Sequence, residues 1–140
     1  MEGVTRRKAF SWPVRVYYED TDSGGVVYYA NYLKFLERAR TEWLRSRGFE
    51  QTELLRSHSV IFVVRAISLE YIKPAMFNDV LEVTVDLEEA RRSQVVLIQS
   101  VRRGDAVLVQ ARVRLACVDS TSFKPARIPL AVIEKIGKKL

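Results

Sequence analysis

The spacing of the hydrophobic residues changes once along this chain, from a helical period to a period of two near residue 60. Before the change, the stretch YLKFLERARTEWL carries apolar residues at i, i+3, i+4, i+7, i+11 and i+12 counted from Tyr32. This spacing places one apolar stripe along a helix, and Gly48 follows where helices commonly end. After the change, apolar and polar residues alternate over stretches of about ten residues, which predicts unusually long β-strands.

Four such stretches follow the helix, and a shorter one at residues 14–18 precedes it. They read VIFVVRAISLEY, VLEVTVDLEE, QVVLIQSVRR and AVLVQARVRLACVD, and PLAVIEKIGKKL predicts a short final helix. Simple alternation predicts two apolar faces, one in the first stretch (Ile61, Val63, Ile67, Leu69, Tyr71) and one in the last (Val107, Val109, Ala111, Val113, Leu115, Cys117). Because the connections are short, we expect the four strands to form an antiparallel meander.

One long helix and one sheet can bury their apolar faces against each other in two layers. The predicted fold is therefore α+β, a hotdog fold in which a long central helix is wrapped by a five-stranded antiparallel sheet. No repeat or linker divides the sequence, so we expect a single domain over residues 1–140. An unprotected sheet edge favours pairing with a second subunit, which predicts a homodimer or a homotetramer.

The formal net charge is +6, so the surface attracts polyanions such as nucleic acid, an anionic membrane, coenzyme A or an acidic carrier protein. Composition does not choose among these partners. No apolar run approaches the roughly 18 residues of a membrane-spanning helix, and we find no secretory signal at the N-terminus. The single cysteine excludes an internal disulfide and agrees with a cytoplasmic location.

Three carboxylates, Glu19, Asp20 and Asp22, lie in the turn between the first strand and the long helix. Carboxylates ahead of a helix often serve only to cap it or to favour the positive end of its dipole. Here, however, Gly24 and Gly25 follow directly and leave room for a ligand to approach the backbone. The first amides of a helix are also free donors that suit a developing oxyanion. A carboxylate and oxyanion donors a few residues apart are ingredients of acyl-group hydrolysis.

The stretch YEDTDSGGVVYYANYLKFLERARTEWLRSRGF resembles the Tol-Pal-associated acyl-CoA thioesterases, relatives of the 4-hydroxybenzoyl-CoA thioesterase family of hotdog proteins. The resemblance continues through VIFVVRAISLEYIKPAMFNDVLEV and ACVDSTSFKPARIP, and therefore covers most of the chain. It implies the hydrolysis of acyl-CoA thioesters without a metal or an organic cofactor, coenzyme A being part of the substrate. We expect short-chain or aromatic acyl groups.

The resemblance also assigns roles in the acidic turn. The family's catalytic aspartate falls on Asp22, which acts as a general base toward water or as a nucleophile. The family's oxyanion donor, a backbone N–H, falls on Tyr29, and Gly25 lies where the substrate approaches. Many relatives carry histidine where this chain has Tyr29. The backbone donor survives that exchange, but acid–base help from an imidazole does not. Asp20 is expected to support the turn or to orient water.

Basic residues are the candidates for binding the phosphates of coenzyme A. The family places basic side chains in the turn that corresponds to Arg91 and Arg92, whereas Ser93 stands where a further lysine is expected. Arg65 interrupts an apolar strand and is a further substrate-binding candidate. Three more basic residues near strand ends fit either a phosphate contact or plain surface charge: Lys73, Lys124 and Arg127.

Other residues that carry reactive groups have simpler explanations. His58 is the only histidine and lies in a loop-like segment, and Cys117 belongs to an apolar strand face, which favours a core role. Glu37 is the alternative carboxylate, since another branch of hotdog thioesterases uses one on the helix. It lies off the apolar stripe, which favours a solvated or subunit-interface role. No metal site is predicted.

Three rival functions follow from the same residues. The alternative to the enzyme is a module that binds acyl carrier protein or envelope partners through its basic surface, with weak hydrolase activity. A hydratase of this fold is expected to need a paired histidine that the turn lacks. Binding to nucleic acid is not predicted, because no basic stripe interleaved with aromatic residues is visible.

Overall fold

A computed structural model describes residues 10–137 of the chain. The elements follow in the order β1 (Phe10–Arg15), a 3-10 turn (Tyr18–Asp20), α1 (Asn31–Ser46), α2 (Gln51–His58), β2 (Val60–Tyr71), β3 (Val80–Ala90), β4 (Gln94–Arg103), β5 (Ala106–Asp119) and α3 (Leu130–Ile136). All strand pairs are antiparallel, and they form one five-stranded sheet in the order β1-β3-β4-β5-β2. The predicted α+β hotdog architecture is therefore confirmed. The single-domain prediction over residues 1–140 stays a prediction, since it includes residues outside the described range.

The long helix α1 carries the buried face that its periodicity predicts. Its buried side chains are the six residues of the stripe: Tyr32, Phe35, Leu36, Ala39, Trp43 and Leu44. This face packs against β1, β3 and β4. The helix ends at Ser46, and Gly48 follows in the left-handed conformation at φ 94°, which a residue without a Cβ adopts at little cost.

The sheet order corrects the predicted meander. Only β3, β4 and β5 are consecutive neighbours, while β2 pairs with β5 at one edge of the sheet. The segment between β2 and β3, residues 72–79, is too long for a tight hairpin and carries the chain to the other side of the sheet, where β1 pairs with β3. Strand β1 also begins and ends earlier than predicted, because the chain turns at Tyr18 instead of extending through it.

Two β-bulges correct the predicted faces. Val64 lies opposite Leu115 and Ala66 opposite Arg114, so Arg65 is an extra residue in β2. Residues before the bulge are displaced by one, and Ile61 and Val63 therefore face away from the core, contrary to the prediction. An extra residue at position 108 of β5 has the same effect on Val107. Alternation alone fails at both places because a bulge reverses the side on which each earlier residue lies.

A buried polar contact joins α1 to the centre of the sheet. The side chain of Gln99 is completely buried, accepts a hydrogen bond from Arg40 Nη1 at 3.0 Å, and donates to the Leu36 carbonyl at 3.1 Å and the Thr84 carbonyl at 3.3 Å. Burial lowers the pKa of Arg40. The amide thus satisfies a guanidinium that the fold has largely removed from water.

Helix α2 is absent from the sequence prediction. It is eight residues long and buries only Leu54, so it offers too little periodicity to identify. His58 is its last residue, where a loop was expected. Across residues 10–137, no helix combines the length and the apolar character needed to span a membrane.

Candidate active site

The acidic turn folds into a tight loop immediately before α1. The Asp22 N–H donates to the Val26 carbonyl at 2.9 Å, and the Gly25 N–H donates back to the Asp22 carbonyl at 3.1 Å. Gly25 has φ 81°, a conformation that L side chains rarely adopt. A Cβ built at Gly25 would meet no atom within 4 Å, so the glycine is explained by its backbone conformation and not by crowding.

Neighbouring segments hold this loop on both sides. The Val27 N–H donates to the Ala75 carbonyl at 2.8 Å, which ties the loop to the segment between β2 and β3. The Asp20 carbonyl accepts both the Tyr28 N–H at 3.0 Å and Asn31 Nδ2 at 2.8 Å. The Asp20 carboxylate accepts the Tyr17 N–H at 2.8 Å, which is the turn support predicted for this residue.

The Asp22 side chain is exposed at the tip of the loop. Its Oδ1 accepts the Gly24 N–H at 2.8 Å, while Oδ2 has no hydrogen-bond partner among residues 10–137. One carboxylate oxygen is therefore held in place and the other is available. Asp22 is not among the residues that line the cavity beside Tyr29, although both residues belong to the segment immediately before α1.

The Tyr29 N–H is a free donor, since no acceptor within the described part of the chain forms a hydrogen bond with it. Its direction follows from the preceding carbonyl. The Tyr28 carbonyl accepts the Asn31 N–H at 2.8 Å, and the C=O and N–H of a trans peptide point in opposite directions. The Tyr29 N–H therefore points away from the first turn of α1. Since no described residue accepts it, the Tyr29 N–H is oriented to donate to an atom outside the described chain, such as a bound ligand.

A cavity of about 240 Å³ adjoins this donor. Its lining is mainly apolar and aromatic: Val27, Tyr29, Tyr32, Tyr71, Ile72, Lys73 and Pro74. The sequence pattern predicts Tyr32 and Tyr71 only as members of the apolar faces of a helix and a strand. The sequence signal that could have found Tyr32 is its place at the start of the predicted helix, because helix side chains lean toward the N-terminus.

The basic turn lies at the opposite end of the sheet. Arg91 and Arg92 are exposed, and Arg91 forms an ion pair with Glu89. The cavity end of β5 is marked by Leu108, whose carbonyl accepts the Ile72 N–H at 2.8 Å, and the turn end by Cys117, whose N–H donates to the Ser93 carbonyl at 2.9 Å. Nine residues of strand span about 30 Å. Within one chain, the predicted phosphate-binding turn and the predicted catalytic loop are therefore far apart.

The other basic candidates are divided between these two ends. Arg127 lines a cavity of about 340 Å³ together with Arg91 and Arg92, an association that the sequence did not reveal. Lys73 instead lines the cavity beside Tyr29. Arg65 is exposed at the β2 bulge.

The remaining reactive side chains do not line either cavity. Cys117 is completely buried, and burial raises the pKa of its thiol to about 11, which suits a core residue and not a nucleophile. His58 is exposed at the end of α2. Glu37 is exposed and lines a groove between α1 and β2.

Helix, sheet order and loop together define a hotdog-fold protein of the thioesterase class. The family described as "Thioesterase-like superfamily" matches residues 16–136, and the chain belongs to it. Acyl-CoA thioesterase YbgC of Haemophilus influenzae is 45% identical over 123 residues, which are 88% of this chain and 90% of that protein. Acyl-CoA thioester hydrolase YbgC of Escherichia coli O157:H7 is 44% identical over 89% of this chain and 92% of its own length. The crystal structure of a probable thioesterase from Bartonella henselae superposes with a TM-score of 0.83 at 34% identity, covering 87% of this chain and 100% of that one.

Proposed function

We propose that this chain hydrolyses acyl-CoA thioesters with short-chain or aromatic acyl groups, giving the free acid and CoA. Asp22 acts as general base or nucleophile, and the Tyr29 N–H donates to the carbonyl oxygen. The observation that carries the proposal is the Tyr29 N–H, which has no acceptor within the described part of the chain and lies at the base of a loop whose tip presents an accessible carboxylate oxygen. The names of relatives that share 44–45% of their residues with most of this chain support the same reaction.

The chemistry needs no group beyond these residues and water. In the general-base route, the Asp22 carboxylate takes a proton from water while the water oxygen bonds to the thioester carbon. The C–S bond then breaks, and the sulfur of CoA leaves and receives the proton. In the nucleophilic route, a carboxylate oxygen bonds to the carbon, CoA leaves, and water hydrolyses the resulting anhydride. In both routes negative charge develops on the carbonyl oxygen, where the Tyr29 N–H stabilises it.

A dimer would bring the basic turn to the catalytic loop. Strand β2 is at the edge of the sheet and has one unpaired side. Antiparallel pairing of two β2 strands about a twofold axis places the Tyr71 end of one beside the Val60 end of the other. Val60 lies opposite Asp119, at the end of β5 that adjoins the basic turn. Arg91 and Arg92 of the partner subunit would then hold the phosphates of a CoA whose thioester lies at Asp22 and Tyr29.

The remaining features of the proposal are assigned to the same assembly. Arg65, at the bulge in the middle of β2, is a second phosphate contact near the subunit boundary, and the Gly25 backbone lies beside the approaching substrate. The oligomer is a homodimer or a homotetramer, no organic cofactor or metal takes part, and the location is cytoplasmic. Sedimentation of the purified protein tests the oligomeric state, and cell fractionation tests the location.

Replacement of Asp22 by asparagine tests the central assignment. Asp22→Asn keeps the shape of the side chain and removes the charge, so we expect thiol release from acyl-CoA to fall by more than about 100-fold, as for loss of a positioned base. Glu19→Gln is the matched control, since it removes a neighbouring exposed carboxylate, and its activity should stay near that of the wild type. Equal activity of Asp22→Asn and wild type would refute the role of Asp22.

The same assays separate the hydrolase from a binding module. If the wild type releases no thiol from a broad acyl-CoA panel but binds acyl carrier protein or envelope proteins tightly, the binding module is the correct function. The clusters of exposed arginines at the β3–β4 turn are the feature that would then contact an acidic partner.

A further inference from the structure

The three tyrosines that line the cavity beside Tyr29 differ in what their hydroxyl groups can do. The Tyr71 hydroxyl has no hydrogen left to donate to a ligand, because it donates to the Tyr29 carbonyl at 3.2 Å. The side chain of Tyr29 is 61% exposed, so its hydroxyl competes with water. Tyr32, by contrast, is only 3% exposed. Of these three, only the Tyr32 hydroxyl is both shielded from bulk water and uncommitted as a donor.

The position of the Tyr32 hydroxyl is fixed by the fold. The Tyr32 oxygen accepts the Ala75 N–H at 2.9 Å. The ring is held edge-on by Phe35 at a centroid distance of 6.1 Å and lies against Tyr71 at 5.6 Å. Tyr32 is in the first turn of α1, where side chains lean back toward the helix N-terminus. Its hydroxyl therefore lies at Ala75, whose carbonyl accepts the Val27 N–H from the loop that leads to Tyr29.

The hydrogen of the Tyr32 hydroxyl is not donated to any described residue. A phenol has one donor hydrogen, and among residues 10–137 no acceptor forms a hydrogen bond with it. Acceptance of the Ala75 N–H polarises the hydroxyl and strengthens it as a donor. Burial raises the pKa of Tyr32 above the ordinary value of a phenol, so the proton is retained at neutral pH. Tyr32, a lining residue of the cavity, thus carries a neutral, oriented O–H group that has no acceptor among residues 10–137.

We propose that the Tyr32 hydroxyl is a second hydrogen-bond donor to the thioester carbonyl oxygen, acting beside the Tyr29 N–H. This inference rests on the proposed thioester hydrolysis and adds a catalytic residue to it. A carbonyl oxygen has two lone pairs and can accept both donors. As the tetrahedral intermediate forms, the oxygen gains negative charge, and a buried donor then stabilises it more than water does. No proton is transferred from Tyr32, which keeps its hydrogen throughout.

Tyr32→Phe removes only the hydroxyl oxygen and its hydrogen. We expect kcat for acyl-CoA hydrolysis to fall by about 100-fold with little change in KM, as for the loss of one oxyanion donor. Tyr18→Phe is the matched control, because Tyr18 is 81% exposed and lies outside the cavity; its kcat should not change. A Tyr32→Phe enzyme with wild-type kcat would overturn the proposal.

The loss of the hydroxyl also frees the Ala75 N–H, so a kinetic defect alone does not distinguish donation from support of the loop. The second measurement uses a ketone analogue of acyl-CoA, in which CH₂ replaces sulfur and the carbonyl carbon is ¹³C. This analogue is not hydrolysed, and its carbonyl stretch is read by isotope-edited infrared spectroscopy when bound to each enzyme. A hydrogen bond from Tyr32 lowers the carbonyl stretching frequency of the analogue bound to wild type. In Tyr32→Phe this frequency should rise toward that of the analogue in a solvent without hydrogen-bond donors.

The outcomes separate this inference from the proposed function. An unchanged carbonyl band in Tyr32→Phe overturns the inference, even if kcat falls, because Tyr32 then acts only through the loop. The infrared reading does not depend on Asp22, since no bond of the analogue is broken. Failure of the Asp22→Asn test would therefore revise the base while leaving the measurement on Tyr32 intact.

Discussion

Mixed dimers test whether each active site uses two subunits. The Asp22→Asn chain lacks the proposed catalytic carboxylate, and a chain carrying Arg91→Ala and Arg92→Ala lacks the proposed phosphate-binding side chains. Each homodimer should be nearly inactive at substrate concentrations well below KM. In a mixed dimer, one site combines Asp22 of the arginine-free chain with Arg91 and Arg92 of the partner subunit and is intact, whereas the other site lacks both.

The size of the recovery follows from this geometry. Along β5 the two groups are separated by about 30 Å within one chain, so no single chain should supply both. Random pairing of equal amounts gives about half mixed dimers with one intact site in two, and therefore about a quarter of wild-type activity. If both groups instead came from one chain, mixing would restore nothing.

The assay needs chains with different affinity tags, so that mixed dimers can be purified and counted. Thiol release is measured with an acyl-CoA and with a small pantetheine ester that has no nucleotide phosphates. The arginine-free homodimer should lose activity toward the CoA ester and keep it toward the pantetheine ester. Purified mixed dimers without recovered CoA-ester activity would refute the two-subunit site.

Two further predictions concern stability. Gln99→Leu removes the buried acceptor of Arg40 and should lower the free energy of unfolding by about 2 kcal/mol, measured by urea denaturation. The control Gln110→Leu, on the exposed side of β5, should lower it much less. Equal losses would contradict the role of the buried amide. The Asp119 carboxylate accepts the backbone N–H groups of Ser122 and Thr121, and these hydrogen bonds lower its pKa from the ordinary value of an aspartate. A depressed folded pKa stabilises the protein above the unfolded pKa and ceases to do so as pH falls through the folded value, so Asp119→Ala should be less stable than wild type at pH 7 and should approach it near pH 2. A difference that is the same at both pH values would exclude the carboxylate charge as its cause.

The sequence predicted the elements of the fold better than their arrangement. The stripe that begins at Tyr32 identified α1 because burial of one helix face leaves a period near 3.6 in the chain. It did not reveal that β2 pairs with β5, since the pairing of distant strands depends on contacts that no local period encodes. It also placed Ile61 on the wrong face, because the bulge at Arg65 is a local backbone choice without a distinct side-chain pattern.

The site shows the same division. The sequence pattern alone indicated only the acidic turn, its two glycines and the amides at the start of the helix. The resemblance to a family singled out Asp22 and the Tyr29 N–H and gave the pattern a chemistry. Only the tertiary structure showed that the Tyr29 N–H has no acceptor among residues 10–137 and that the Arg91 turn lies at the far end of the sheet. The hydrogen bond from the Ala75 N–H to the Tyr32 hydroxyl was also visible only in the tertiary structure. The reason is physical: a residue's type and its neighbours in sequence fix local conformation, whereas the distance between groups on different elements is decided by how the whole sheet and helix pack.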